Sequence, residues 1–408
     1  MTIGCSSGSS SGSDSRVTIT EMDNYFDVRV DYSDSVSRYD IGREYAEKSF
    51  EVIPDYESIV DSYFVELVAY LEDVHWVTYA DLISRVQLLA PQLDSSYLDE
   101  IDGFASQLSG GDVDVLGDGK LSTHEFMILN FMPDVSTGGA CSAISVFGDM
   151  SSTGSTIVGR NLDWFIGSTG NIAKLNAISF LTNGSNEIIS VGYLGMLGVV
   201  TGINNDGIYI ANLYSPTFTP YSAVGKQPIL FDIRTALEIT SYIAGAAEFM
   251  GDSSRVYTYN DLMFITDGNK AKVLENNFGY LRELRTYDSV LNPGVTWGVD
   301  NAIAAVNAFA LYGNYDNLTT VDSNWMRWDN FKTELASKSQ PVSVESIEEI
   351  MTYHEPGGGG NYDGDIYNAD TAQSMIYSFS DNSMQVFLHP ATGSFTENPE
   401  FITIETGW

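Results

Sequence analysis

Apolar and polar positions along the 408-residue chain change period twice. Between residues 17 and 39 they alternate in places, with Val28, Val30 and Tyr32 two apart, which predicts a strand or two. From Ile41 to about Leu108 the period becomes helical. Ile59, Tyr63, Leu67 and Leu71 recur every fourth residue and lay one apolar stripe along a helix of roughly five turns. Pro54 and Pro91 divide this stretch into successive helices, and Leu98, Ile101 and Phe104 carry the pattern on. After Gly139 short β-rich runs take over: Ile144–Val146, Ile157–Val158, Ile178–Phe180, Ile188–Val191, Ile208–Ile210, Leu262–Ile265 and Lys272–Leu274. Turn pairs separate them, among them Asn183-Gly184, Asp206-Gly207 and Asp267-Gly268. Helical patterns return over 229–250 and 299–311, more weakly near 325–337 and 343–353, and residues 374–404 are again strand-like. A helical front of about 140 residues thus precedes a mixed section of about 268, an α+β plan in which the hairpin turns argue against a βαβ repeat.

Composition adds two constraints. The chain carries 55 Asp plus Glu against 19 Lys plus Arg, a net charge of −36, with a basic stripe nowhere along it. Such a surface cannot release the counterions of nucleic-acid phosphates, so no nucleic-acid partner is expected. The 43% apolar content supplies a core and excludes an acidic disordered polymer. Charge density is higher in the front section, −19 over residues 1–140 against −17 over 141–408, as a solvated helical face requires. The four histidines, His75, His124, His354 and His389, sit in no hydrolase motif, and neither a Gly-x-Ser-x-Gly elbow nor zinc-ligand spacing is present. With two cysteines only, Cys5 and Cys141, a disulfide framework is excluded. Cys5 lies in Ile3-Gly4-Cys5-Ser6, within a Gly/Ser-rich tether over residues 1–16 in which nothing from Ser6 to Ser15 can bury. This resembles a bacterial lipoprotein processing site. It makes Cys5 a candidate lipid anchor and membrane tether, and the location extracytoplasmic, either anchored to a bacterial envelope or secreted. The other reading is an incidental cysteine.

Cys141 follows the small run Gly138-Gly139-Ala140 and opens a β-rich run; about twenty residues later comes Gly159-Arg160-Asn161-Leu162-Asp163-Trp164. By itself a cysteine at a strand start is a small hydrophobe. The pairing with Arg160 and Asp163 changes this, because a thiol-bearing strand followed by a strand ending in Arg and Asp resembles the N-terminal nucleophile hydrolases. The nearest families are the choloylglycine hydrolases, acid ceramidases, N-acylethanolamine acid amidases and penicillin-type acyltransferases. Further segments carry the resemblance in order: Gly42-Arg-Glu-Tyr45, Pro91-Gln-Leu-Asp94, Leu98–Ala105 and Leu129-Asn130 in the front, Val191–Asn212 as a central hairpin, then Val306-Asn307-Ala308-Phe309 and Ser323–Arg327. The residue after Asn307 is not the His often found there in the family.

The resemblance implies a four-layer αββα sandwich over residues 141–408, preceded by a helical propeptide-like segment over 17–140. It implies an autoprocessing amidohydrolase, made as an inactive precursor and cut between Ala140 and Cys141 into chains that stay together as a heterodimer. A new α-amino group with an ordinary pKa near 8 would take the thiol proton, so one residue supplies nucleophile and base. Arg160 would hold the thiolate and Asp163 the ammonium. Asn212 and Asn307 would donate to the oxyanion, typically about 3–4 kcal/mol of barrier per donor, and Arg327 would position substrate or brace Asn307. The substrate would be a small N-acyl compound, with no cofactor needed for catalysis. Two other readings keep the fold: an acyltransferase passing the acyl group to an amine, and a non-catalytic, calcium-dependent surface binding protein.

Calcium enters through Asp114-Val-Leu-Gly-Asp118-Gly119-Lys120-Leu-Ser122-Thr-His-Glu125, which resembles an EF-hand loop. Asp114, Asp118, Lys120 (by its carbonyl position), Ser122 and Glu125 are the candidate ligands. Leu116 at the third position removes one carboxylate. The alternative is an acidic turn capping the helix that begins near Ser122.

Overall fold

The computed structural model describes residues 15–33, 36–136, 139–217, 219–392 and 394–408. The candidate anchor Cys5, the tether up to Asp14, and Thr137 and Gly138 before the expected cleavage site lie outside the described residues. No helix among the described residues is long and apolar enough to cross a membrane.

The front section opens with β1 (Val17–Glu21) and β2 (Phe26–Asp31), then α1 (Arg38–Val52), α2 (Tyr56–His75), α3 (Tyr79–Leu89), α4 (Ser95–Ala105), α5 (Thr123–Asn130) and the single turn α6 (Met132–Val135). Local chemistry fixes the boundaries. Ser37 caps α1 through the Asp40 N–H, and Thr78 with Asp81 forms a capping box on α3. The stripe Ile59, Tyr63, Leu67 and Leu71 is buried as its spacing predicts. α1 and α4 cross closely because both present glycine: a Cβ on Gly42 would meet the Glu100 carbonyl oxygen at 2.0 Å, and one on Gly103 the Tyr39 carbonyl oxygen at 2.0 Å.

The rest of the chain supplies β3 (Cys141–Val146), β4 (Ile157–Asp163), β5 (Asn176–Asn183), β6 (Asn186–Tyr193), β7 (Thr201–Asn204), β8 (Tyr209–Tyr214), α7 (Ile229–Ile239), α8 (Ile243–Met250), β9 (Asp261–Asp267), β10 (Lys270–Asn276), β11 (Arg282–Arg285), β12 (Ala302–Ala305), α9 (Asp322–Ser337), α10 (Val344–Met351), β13 (Thr371–Ser378), β14 (Ser383–Leu388) and β15 (Ile402–Ile404). Nine strands form one sheet in the order β1-β2-β5-β6-β7-β8-β9-β10-β11, and six form the other in the order β12-β3-β4-β13-β14-β15. The sheets face each other where β3 meets β8 and β10. α7 and α8 cover the outer face of the larger sheet, and α9 and α10 that of the smaller one. The four-layer α+β sandwich is therefore present, with the front helices packed against it. The front also joins the larger sheet itself, because β2 pairs with β5 in parallel, an exception among otherwise antiparallel ladders.

One expected element is of the other kind. The helix expected over 299–311 is the strand β12, paired antiparallel with β3, with loop after it. Ala302–Val306 is apolar at every position and so has no helical period. All four residues of β12 are buried, and pairing with β3 overrides the helix propensity of its alanines.

Candidate active site

β3 and β4 are buried along their whole length. Their antiparallel register sets Cys141 opposite Leu162 and Ala143 opposite Arg160. Strand alternation then turns Arg160 and Cys141 toward the space between the sheets, while Gly159 and Asn161 face α10 and its neighbours. Arg160 Nη2 lies 3.6 Å from Cys141 Sγ and donates to the Asn212 carbonyl at 2.9 Å. Burial pushes the Cys141 thiol up, and Arg160 is the strongest influence opposing it.

The main chain of Cys141 is clasped from the α9 side. Its N–H donates to Asn307 Oδ1 at 2.6 Å, and Arg327 Nη1 donates to its carbonyl at 3.0 Å. Arg327 Nη2 reaches Asn307 Oδ1 and Asn324 Oδ1, each at 3.0 Å. Upstream, Gly139 presses against the end of β4, where a Cβ would fall 1.8 Å from the Asp163 carbonyl oxygen. Ala140 is exposed, beside a cavity of about 140 Å³ that Leu67 and Tyr70 of α2 help to enclose.

Asp163 faces Arg327 at 3.9 Å and accepts from Thr371 Oγ1 and Asn368 Nδ2, each at 2.7 Å. Burial nevertheless pushes its pKa up to about 6, against the pull of Arg327. Folding therefore holds the proton more tightly than the unfolded chain does, and the group costs stability as pH rises from about 4 to about 6. At about 1.4 kcal/mol per pKa unit this is roughly 3 kcal/mol. Urea unfolding of Asp163→Asn should accordingly gain about that much relative to wild type between pH 4 and pH 7; a constant difference would contradict the assignment.

The sequence-derived residues thus fall into two groups. Cys141, Arg160, Asp163, Asn307 and Arg327 converge on one point. Asn212 reaches it only through its carbonyl: its side-chain amide bonds Asp261, and its Oδ1 is buried without a partner. In the uncut chain the Asn307 amide N–H groups are also engaged, donating to Tyr214 O at 2.6 Å and Gly139 O at 3.3 Å. Neither asparagine is thus a free oxyanion donor in this structure. Asn324, Asn368 and Thr371 were not legible as site residues. Asn324 alone had a signal, lying three residues before Arg327 and so on the same helical face.

The EF-hand-like loop is a different structure. Glu125 caps α5, accepting from the Ser122 N–H at 2.7 Å and from Tyr79 Oη at 2.6 Å. Asp114 accepts from Ser122 Oγ at 2.6 Å and faces His124, while Asp118 accepts from the Lys120 N–H. Asp61 of α2 holds the Gly117 and Gly119 N–H groups at 2.7 Å each. No group of three or more His, Cys, Asp or Glu among the described residues is arranged to hold a metal ion. These residues fit a cap better than a calcium ion.

No protein-family model and no curated protein sequence matches the chain. Solved structures similar to it include a Caenorhabditis elegans N-acylethanolamine-hydrolyzing acid amidase ortholog, at 15% identity over 61% of this chain and 100% of that one, with a TM-score of 0.43. A mutant conjugated bile acid hydrolase from Clostridium perfringens is similar at 12% identity over 65% and 92%, with a TM-score of 0.40. Penicillin V acylase from Agrobacterium tumefaciens is similar at 9% identity over 65% and 86%, with a TM-score of 0.38. All three are N-terminal nucleophile hydrolases.

Proposed function

We propose that this chain is an amide hydrolase whose nucleophile is Cys141, freed by cleavage of the Ala140–Cys141 bond. The observation that carries the reading is the clasp on one residue: Arg160 at the thiol, Asn307 and Arg327 on the main-chain N–H and carbonyl. A structural cysteine needs none of these contacts. In the self-cleavage step Sγ attacks the Ala140 carbonyl carbon, the C–N bond breaks, and the Cys141 nitrogen leaves as a free amine. Water then hydrolyses the thioester, giving the Ala140 carboxylate and regenerating the thiol. Substrate follows the same course, with the new α-amine taking the thiol proton and passing it to the departing amine. Loss of Gly139 and Ala140 from their places would release an Asn307 N–H toward the oxyanion.

The acyl half would meet an apolar lining beside Cys141 in a pocket of about 20 Å³, which has to widen to admit it. Leu162, directly across from Cys141, lines an apolar pocket with Met132, Trp164, Tyr193, Met196 and Leu230. An N-acyl compound with an apolar acyl group suits that lining.

Intact-mass measurement of the purified protein tests the reading. We expect fragments of 140 and 268 residues, a single uncut chain for Cys141→Ala, and release of free acid from N-acyl amines by the cut wild-type protein only. A wild-type chain that stays whole and inert from acid to neutral pH would overturn it.

A further inference from the structure

Tyr214, whose carbonyl holds Asn307, also lines a second cavity of about 400 Å³. Both segments build it: His75 and Arg85 come from the front, Tyr221, Lys226 and Tyr259 from the catalytic section. Its lining includes no described Asp or Glu, in a chain with 55 of them against 19 Lys plus Arg. The cations Arg85 and Lys226 make no salt bridge among the described residues, although Asp81 on α3 feels the charge of Arg85. The Arg85 guanidinium lies 3.8 Å over the Tyr221 ring and donates to the Val135 carbonyl. The Lys226 ammonium lies 5.3 Å from the Phe278 ring centroid, and burial lowers its pKa. A half-buried cation such as Lys226, with an aromatic ring beside it and no ion-pair partner, gains from a bound anion.

Two further features define what kind of anion. Tyr259 Oη is buried against the Arg85 guanidinium, which it faces as an acceptor, and its own O–H finds no acceptor among the described residues, so a donor is left over for a ligand. Tyr259 packs against Tyr214 and Tyr221 with ring centroids 5.2 and 5.3 Å apart, which makes an aromatic wall. Behind that wall Asp134 accepts from the Ile229 N–H at 2.9 Å and Thr258 Oγ1 at 3.1 Å. Burial pushes Asp134 up to about 8, so it is mostly uncharged at neutral pH and does not cancel the cations.

We propose that this cavity binds an organic anion, a carboxylate or sulfonate on an aromatic or hydroxylated body, and that in the amidase it holds the amine half of the substrate. The second clause rests on the amidase reading; the anion site does not. Calorimetric titration of the uncut Cys141→Ala chain with N-acetyl-tyrosine and N-acetyl-tyrosinamide separates the two. The carboxylate should bind at least tenfold more tightly than the neutral amide, and Lys226→Met and Arg85→Met should each erase most of that difference. Lys226→Met decides, because Arg85 also holds the Val135 carbonyl and its loss disturbs packing. Equal affinity for both probes, no heat from either, or unchanged affinity in Lys226→Met would overturn the anion site. On the cut wild-type enzyme, kcat/KM for an N-acyl-tyrosine over the matching N-acyl-tyramine should fall toward parity in Lys226→Met. A preference that survives the substitution would overturn the amine-half assignment while the titration still decides the site. If the wild-type protein hydrolyses neither compound, the amidase reading fails together with that assignment, and the titration again stands alone.

Discussion

Arg160→Met should slow cleavage at Ala140–Cys141 and lower kcat/KM toward N-acyl amines by about 10²-fold, the equivalent of roughly 3 kcal/mol. Arg160 is buried, 3.6 Å from Sγ, and is the foremost influence keeping the buried thiol from rising further. Methionine fills similar volume but removes the charge, so less thiolate forms at a given pH, and the Asn212 carbonyl loses its 2.9 Å donor. Arg160→Lys should recover part of the rate, since it keeps the charge and loses only the planar fork. A purely structural arginine would predict something else: activity lost in step with unfolding, with thiol reactivity unchanged in the folded fraction. The pH profile of Cys141 alkylation separates these. It should move to higher pH in Arg160→Met and stay near wild type in Arg160→Lys; a methionine variant that cuts and turns over at the wild-type rate would remove Arg160 from the mechanism.

The pairing of Cys141 with Arg160 was legible because two consecutive strands joined by a short connection pair in a register that few alternatives can match. That register sets residues 141 and 143 against 162 and 160, so the two motifs met without further information. Asn307 and Arg327 were legible only through their order in the chain, and the structure gives the reason they belong together: Arg327 reaches across to Asn307 from one turn beyond Asn324. The roles of the two asparagines were not legible. Whether an amide faces the oxyanion, as expected of Asn212, or a buried Asp261 depends on a neighbour on β9, about fifty residues away. The acidic loop misled for a similar reason. Its spacing fits a calcium motif, but Asp61 on α2 supplies the loop's backbone partners and Glu125 turns back to cap its own helix. Long-range partners, which leave no periodic trace, decided each of these cases. The parallel β2–β5 pair, which draws the front into the main sheet, belongs with them.

That union sets the second large effect. Glu100→Ala should destabilise the uncut Cys141→Ala chain by about 3 kcal/mol and lower its Tm by roughly 4 °C. Glu100 of α4 is fully buried and takes both carboxylate oxygens to Arg234 Nη1 of α7, at 3.1 and 3.2 Å. It also accepts from Arg38 and from Tyr32 Oη. Removing it leaves a buried guanidinium with the Leu197 carbonyl at 2.9 Å and Glu238 at 3.1 Å, and strands the Tyr32 hydroxyl. Removing both charges should hurt less than removing one, because a fully buried guanidinium left with only the partly exposed Glu238 is the larger cost. Glu100→Leu combined with Arg234→Met is therefore expected to regain part of the loss in scanning calorimetry. Once the chain is cut, the same contact has a second consequence. It links the front segment to the catalytic one, so Glu100→Ala should let the 140-residue fragment separate on gel filtration where the wild-type fragments migrate together. Separation would carry Arg85 away from the anion cavity and Tyr70, with Ala140, away from Asp163 and Trp164, leaving a catalytic segment with its thiol exposed and its second cavity half built. An unchanged Tm together with fragments that stay associated would mean that the β2–β5 ladder and the packing around it hold the segments without this ion pair.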